Sequence, residues 1–313
     1  MSERIATEID GLPLALSNLD KPLFPSGFTK GELIAYYVEI ADTMLPHLHD
    51  RALTRVRFPN GTSGESFYEK NVPPGAPAWV SSVDVATSAG TVTYVTASRR
   101  ADLAWLANLA AVELHTPQWR VRDATGSPDG ILLSGPDEPR STTLIVDLDP
   151  GSGITPADSA KGAILAATVL AQMGLEAFAK SSGNKGLQLS VPIRPTPASH
   201  VHAFAMALAQ HLAQRYPRQF VAVMSKQARA DLIFVDYGQN LAARNTVTAY
   251  SVRGLDSPSV ATPLTWEEVA ALSPDAPVRV TPAQMLERVA AHGDLWVGTL
   301  PTADSPVLPP PEF

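Results

Sequence analysis

An α+β fold with a ferredoxin-like or RRM-like antiparallel sheet is the architecture this sequence predicts, and three observations predict it. Between Thr142 and Tyr250 the elements run β-α-β-β-α-β, the order such a sheet requires. The first strand of that run, Thr142-Thr143-Leu144-Ile145-Val146-Asp147-Leu148-Asp149, is a buried-strand pattern that Pro150-Gly151 stops. The chain of 313 residues, 45% hydrophobic and 18% charged, is long enough to bury a large core, which excludes disorder for its bulk.

In chain order, the N-terminal third reads as mixed α and β. Thr29-Lys30-Gly31-Glu32 has the T-x-x-E spacing of a capping box and leads into Leu33–Ile40, so a helix starts at about Thr29. Val83 to Thr96 breaks at Ser88-Ala89-Gly90 with β-rich residues on either side, a hairpin pattern. Leu103, Leu106, Leu109, Ala110 and Leu114 recur at helical spacing and predict a helix over Ala101 to Leu114. After the Thr142 strand come a helix from about Ala157 to Met173 closed by Gly174, and a strand-turn-strand around Phe178 to Val191. A second long helix spans about Ser199 to Tyr216, and strands surround Ile233–Asp236 and Thr246–Tyr250. Five prolines in the thirteen residues after Leu300 predict an extended or mobile tail, with disorder the simpler reading.

The formal charge of −7 argues against a nucleic-acid binder on balance alone, but it is unevenly spread. Two basic residues stand against seven acidic ones from Ser257 to Phe313. From Arg215 to Arg253, six basic residues (Arg215, Arg218, Lys226, Arg229, Arg244, Arg253) stand against Asp231 and Asp236, so a polyanionic ligand is permitted. The absence of cysteine removes disulfides, thiol nucleophiles and Cys-ligated zinc or iron–sulfur sites. No basic-then-apolar leader opens the chain and no apolar run approaches the roughly 20 residues that cross a bilayer, so the expected location is cytoplasmic, with no membrane partner.

Asp147 and Asp149 stand two apart at the end of an apolar strand, so their side chains share a face and repel unless a divalent cation lies between them. Asp236 ends a second apolar strand, Leu232–Val235. Three carboxylates on adjacent strand ends suit a two-metal site with ions ~4 Å apart; the alternative is strand-end aspartates that are solvated or cap the next helix. D-x-D also occurs in sugar-nucleotide transferases and aspartyl phosphatases, although Pro150 at mid-chain does not match the latter. Ser181-Ser182-Gly183-Asn184-Lys185-Gly186 either offers backbone N–H groups to an anion, with Ser182 and Lys185 adding a hydroxyl and a cation, or is a plain hairpin loop without a P-loop frame. Lys30 falls in the first turn of its helix, where free amides and the dipole favour a phosphate, with Asn18 and Lys21 close by in sequence; the alternative is a solvated lysine. His200, His202 and His211 read as surface or packing residues, His47 and His49 lack the spacing of a helical zinc pair, and His115 can face a cleft.

Eight blocks occur in one order: Ser17-Asn18-Leu19-Asp20-Lys21, Thr29-Lys30-Gly31-Glu32-Leu33, Phe67-Tyr68-Glu69-Lys70, Glu113-Leu114-His115, Val146-Asp147-Leu148-Asp149-Pro150-Gly151, Ser182-Gly183-Asn184-Lys185-Gly186-Leu187, Phe234-Val235-Asp236-Tyr237-Gly238-Gln239-Asn240 and Tyr250-Ser251-Val252-Arg253. Together, from about Ser17 to about Trp266, they resemble the polymerase domain of bacterial LigD-type end-joining proteins, a branch of the archaeo-eukaryotic primase superfamily. The resemblance implies the archaeo-eukaryotic primase fold: an N-terminal α/β part at about 1–140 packed against an RRM-like catalytic part at about 141–256, and a C-terminal helical part at about 257–300. These form a single primase-polymerase domain over 1–300, followed by a Pro-rich tail at 301–313.

The resemblance further implies template-directed nucleotidyl transfer, with Asp147, Asp149 and Asp236 as catalytic ligands of two Mn²⁺ or Mg²⁺ ions and an NTP or dNTP as substrate, ribonucleotides preferred. His115, Ser182, Lys185, Gln239 and Arg253 would contact the incoming nucleotide, with Gln188 standing where relatives carry a histidine. Asn18, Lys21 and Lys30 match a pocket for the 5′-phosphate across a DNA gap, and Phe67 and Tyr68 match aromatic positions that pack on template bases. Val56 and Asn245-Thr246 lack lysines that relatives carry, so weaker triphosphate binding is expected.

At this length there is no room for an ATP-dependent ligase or a nuclease. The expectation is a stand-alone polymerase that fills gaps in DNA repair, nucleoid-associated when bound to DNA, with a Ku-like end binder and a separate DNA ligase as partners. The alternative is a catalytically weak DNA-end or 5′-phosphate-binding module, and a third reading is a metal-dependent phosphoesterase.

Overall fold

The computed structural model describes residues 4–127, 130–223, 229–275 and 278–312, so Lys226 of the basic stretch lies outside the described residues. Its helices are α1 (Lys30–Glu39), α2 (Ala41–Leu48), α3 (Arg100–Asn108), α4 (Pro156–Gln172), α5 (Ala198–Arg215), α6 (Trp266–Ala270) and α7 (Pro282–His292). No described helix is long and apolar enough to cross a membrane.

The predicted sheet is present as a six-stranded one, in the order Phe220–Val221, Ile233–Val235, Arg140–Pro150, Leu187–Pro197, Phe178–Ser181 and Pro263–Leu264. Its four central strands follow the ferredoxin-like order fourth-first-third-second, all antiparallel. Alternation along Arg140–Pro150 sorts the two faces. Leu144, Val146 and Leu148 pack with α4 and α5 residues such as Ala163, Val201 and Leu208 in one core, and the intervening Asp147 and Asp149 are thereby turned to the opposite face. The helix α4 starts where Thr155 and Asp158 form a capping box and stops at Gly174, whose φ of +72° a residue with a Cβ rarely adopts.

A second sheet, Thr246–Val247, Ala111–Thr116, Thr54–Arg57 and Phe67–Glu69, carries α1, α2 and α3 around a separate core that includes Leu33, Tyr37, Met44, Leu106 and Leu114. The capping box at Thr29 and Glu32 is formed, and the hairpin is present as Ser82–Thr87 and Gly90–Val95.

Three expectations need correction. The helix predicted through Leu114 ends with α3; Ala110 turns at φ +58° and Ala111–Thr116 is a strand. All six residues of that strand are buried, so its apolar positions ran on without a break from the helical ones. The strand expected over Thr246–Tyr250 is only Thr246–Val247, and it pairs with Ala111–Thr116 rather than joining the catalytic sheet. The proline-rich tail is extended but docked: Leu308 is buried in the α4–α5 core, and Arg194 donates its backbone N–H to the Pro306 carbonyl and its side chain to the Ser305 carbonyl.

Candidate active site

Asp147 and Asp149 end the central strand, and Asp236 follows directly on the neighbouring strand, its N–H donating to the Asp147 carbonyl at 2.9 Å. One carboxylate oxygen of each lies within 4.8 Å of the others. Burial, then the Asp149 charge, raises the Asp147 pKa well above the carboxylate range, against the pull of Lys180 and Gln188. Burial and Asp236 raise Asp149 as well. Carboxylates that resist ionising together, offering only hard oxygen donors at one point, fit divalent cations such as Mg²⁺ or Mn²⁺.

Asp147 and Asp149 line a cavity of about 530 Å³ whose lining also includes His115, Ser182, Lys185, Gln188, Gln239 and Arg253, so all six residues expected at a nucleotide come together here. The two glutamines are nevertheless engaged with the carboxylates: Gln188 Nε2 donates to Asp147 Oδ1 at 3.1 Å and Gln239 Nε2 to Asp236 Oδ2 at 2.8 Å. Asp236 Oδ1 also accepts the Gly238 N–H at 3.0 Å. Next to Gln188 across the sheet stands Lys180, 2% exposed, whose Nζ has no hydrogen-bond partner among the described residues. Burial lowers its pKa, and Asp147 opposes that shift. Sequence reading missed this internal cation because a lysine in the strand before the Ser181–Gly186 turn carries no local sign that it is buried.

The Ser182–Gly186 segment is a tight turn lying against the triad. A Cβ on Gly186 would sit 3.1 Å from the Leu148 carbonyl and 3.8 Å from Asp149 Oδ1. Ser182 Oγ accepts the Gly186 N–H at 3.2 Å and closes the turn from inside. Gly183, at φ +75°, leaves room for Arg253, whose Cγ would be 2.7 Å from a Cβ there.

Glu113, two residues before His115, is a further site residue that the sequence motifs do not single out. It is buried in the second sheet, 2.8 Å from His115 Nε2 and 3.1 Å from Arg253 Nε, and it accepts the Gly254 N–H at 2.9 Å. Burial alone would raise its pKa, but the His115 hydrogen bond, Arg253 and the Gly254 amide override it and hold Glu113 at about 2. Burial, against Glu113, lowers His115 and keeps its ring neutral.

Away from the triad, Ser17, Asn18, Asp20 and Lys21 line a separate cavity of about 500 Å³. Lys21 Nζ donates to the Pro59 carbonyl at 2.6 Å. Lys30 is 4% exposed and donates to Ser17 Oγ and the Asn108 carbonyl. The free-amide argument for a phosphate at α1 fails, because the Lys30 and Gly31 N–H groups donate to Lys21 and Leu19 carbonyls and the Glu32 N–H to Thr29 Oγ1. Phe67 and Tyr68 are exposed, at 40% and 61%. As strand neighbours they point to opposite faces; Tyr68 lines the triad cavity and its hydroxyl lies 3.1 Å from His115 Nδ1.

The family model for the LigD primase-polymerase domain matches residues 29–296. The chain is 37% identical over 295 residues to the multifunctional non-homologous end joining protein LigD of Mycolicibacterium smegmatis, covering 93% of this chain and 36% of that protein. It is 30% identical over 287 residues to the bifunctional non-homologous end joining protein LigD of Bacillus subtilis, covering 90% of this chain and 43% of the relative. It thus spans about two fifths of the length of these curated relatives. Among solved structures, the polymerase domain from Mycobacterium tuberculosis Ligase D in complex with DNA superposes with a TM-score of 0.83 at 37% identity, over 94% of this chain and 99% of that one. A family model running from the cap of α1 to Trp296, together with a solved polymerase domain that aligns along nearly its whole length, establishes that the chain belongs to the LigD primase-polymerase domain family.

Proposed function

We propose that the chain is a template-dependent primase-polymerase that adds nucleotides, ribonucleotides in preference, to primers at short gaps or DNA ends during end-joining repair. The observation that carries this reading is the clustering of Asp147, Asp149 and Asp236, with Asp147 and Asp149 lining a cavity that Lys185, Arg253 and the Ser182 turn also line. Divalent cations held by the three aspartates would supply Lewis acidity for in-line attack of a primer 3′-hydroxyl on the α-phosphorus and for loss of pyrophosphate. The chain's own contribution is positional. Gln188 and Gln239 hold two of the carboxylates in place, and Lys185, Arg253 and His115 face the space a triphosphate would occupy. A Ku-like end binder and a separate DNA ligase complete the reaction in this reading.

Primer extension on a short-gapped duplex with a 5′-phosphate, Mn²⁺ and either ribo- or deoxynucleotides tests the proposal. Templated extension with ribonucleotides favoured is the expected result. Phosphate-dependent DNA binding without any extension would replace it by an end-binding module, a reading that Gln188 motivates, being an uncharged side chain spent on Asp147.

The Asn18–Lys21 cavity is assigned in this reading to the downstream 5′-phosphate. Lys21→Ala should lower the preference for phosphorylated over unphosphorylated gaps about tenfold at low salt and much less at high salt, as counterion release requires, in a competition binding assay. Lys30→Ala should reduce the same preference and also lower Tm, because it leaves the Asn108 carbonyl without its partner. An unchanged phosphate preference in Lys21→Ala would place the pocket elsewhere.

A further inference from the structure

Glu113 gathers groups from three segments around one carboxylate: His115 on its own strand, Arg253 at the end of the strand that follows Tyr250 with Gly254 just past it, and, through Arg253, the Ser182 turn, whose Ser182 carbonyl accepts from the Arg253 guanidinium. An ionised carboxylate only accepts hydrogen bonds, so His115 presents Nε2–H to Glu113. In the neutral ring Nδ1 is then an acceptor, and it takes the Tyr68 O–H at 3.1 Å. Both ring nitrogens are engaged, and neither can donate to a phosphate oxygen in this arrangement. A phosphate offers only acceptors at its unprotonated oxygens, so His115 can bind one only after gaining a proton at Nδ1.

We propose that Glu113 is the positioning residue of the nucleotide pocket: it fixes the His115 tautomer and the Arg253 guanidinium, and on nucleotide binding a phosphate oxygen displaces the Tyr68 hydroxyl while His115 takes one proton from solvent at Nδ1. The imidazolium then donates Nε2–H to Glu113 and Nδ1–H to the phosphate; the one bond formed is Nδ1–H, and the one broken is that of the buffer acid that gives up its proton. This rests on the nucleotidyl-transfer reading above. Of the charged groups facing His115, Glu113 on its own strand, Asp147 and Asp149 across the cavity and the incoming phosphates favour the added proton. Arg253, Lys180 and Lys185 oppose it, and Tyr68 must leave. Glu113, in direct contact on the far nitrogen, is the group that makes the imidazolium tolerable beside those cations.

The experiment is isothermal titration of ATP into the full chain already held in saturating Mn²⁺ near pH 7.5, in two buffers of different ionisation heat and without primer, so that any proton the aspartates give up to the metal is released before ATP is added. The wild type should take up about one proton per ATP bound. Glu113→Gln should abolish that uptake and weaken ATP binding about tenfold. In a His115→Ala/Arg253→Ala background, Glu113→Gln should change ATP affinity by less than about twofold, because it acts through those two residues. Proton uptake that persists in Glu113→Gln, or the full tenfold loss in the double-alanine background, overturns the proposal. Should Glu113→Gln fold poorly, Tyr68→Phe tests the same step: with no hydroxyl to displace, ATP should bind about threefold more tightly, and unchanged or weaker binding counts against it. A wild type that extends primers and binds ATP without taking up a proton defeats this proposal alone. A wild type that neither binds ATP nor extends primers defeats the nucleotidyl-transfer reading and this proposal with it.

Discussion

Asp147→Ala and Asp149→Ala should each reduce templated primer extension on the order of 10³-fold, with DNA binding retained, since each removes one member of a three-carboxylate cluster whose oxygens lie within 4.8 Å. Replacing Asp147 by neutral asparagine, which keeps an acceptor for Gln188, should not cost stability in the absence of metal. The Asp147 carboxyl is raised by burial and by Asp149, so the folded protein holds that proton more tightly than the unfolded chain does. The stability this contributes is fully present below the ordinary carboxylate pKa and is lost as pH rises through the raised, folded-state value. Asp147→Asn should therefore raise the metal-free Tm by a few degrees at pH 8 and change it little at pH 4. Mn²⁺ should reverse the order, raising the wild-type Tm while leaving Asp147→Asn nearly unmoved. Scanning fluorimetry at the two pH values, with and without Mn²⁺, checks this. An Asp147→Asn protein that melts below the metal-free wild type at pH 8 would mean that the aspartate stabilises the fold and is not held there for a cation.

Leu148→Ala should be the most damaging small change between the two aspartates, although it removes no functional group. Leu148 is fully buried, pairs with Leu187 on one side and Val235 on the other, and anchors the central strand in the α4–α5 core. Truncation should cost about 3 kcal/mol, which lowers Tm by roughly 6–12 °C for a domain of this size. Leu148→Met, which conserves volume, should cost less than about 1.5 kcal/mol. Because Asp147 and Asp149 flank this anchor, Leu148→Ala should also lose extension activity when assayed well below its Tm, whereas Leu148→Met should keep it. Equal melting temperatures for the two variants would show that the site's floor does not depend on this packing.

Much of the site was legible because its signals are local. Alternation along Thr142–Asp149 placed both aspartates on one face, and the β-α-β-β-α-β order placed Asp236 on an adjacent strand. Thr29 with Glu32, and Gly174 after α4, are start and stop signals whose physics lies within a few residues. The Ser182 turn was legible as a turn, since glycines at short spacing exclude a continuous strand.

What stayed hidden depends on partners distant in sequence. A strand buried on both faces has no polar side to mark its period, so Ala111–Thr116 merged with α3 in the reading. Whether Lys30 meets solvent and whether Gln188 points at a nucleotide or at a carboxylate are settled by residues dozens of positions away; the α1 amides and Gln239 find partners nearer in sequence, but only once the loop before α1 and the turn after Asp236 have folded. By itself the sequence determined most of the elements and the face each aspartate takes, because capping and alternation are short-range properties, and it pointed to the family because the order of its blocks can be read along the chain without folding it. Only the tertiary structure decided that Glu113 binds His115 and Arg253 together, that Lys180 stands beside the triad, and that the proline-rich tail docks through Leu308. Those contacts form where separate segments bury polar and apolar groups against each other, and no local pattern encodes which segments will meet.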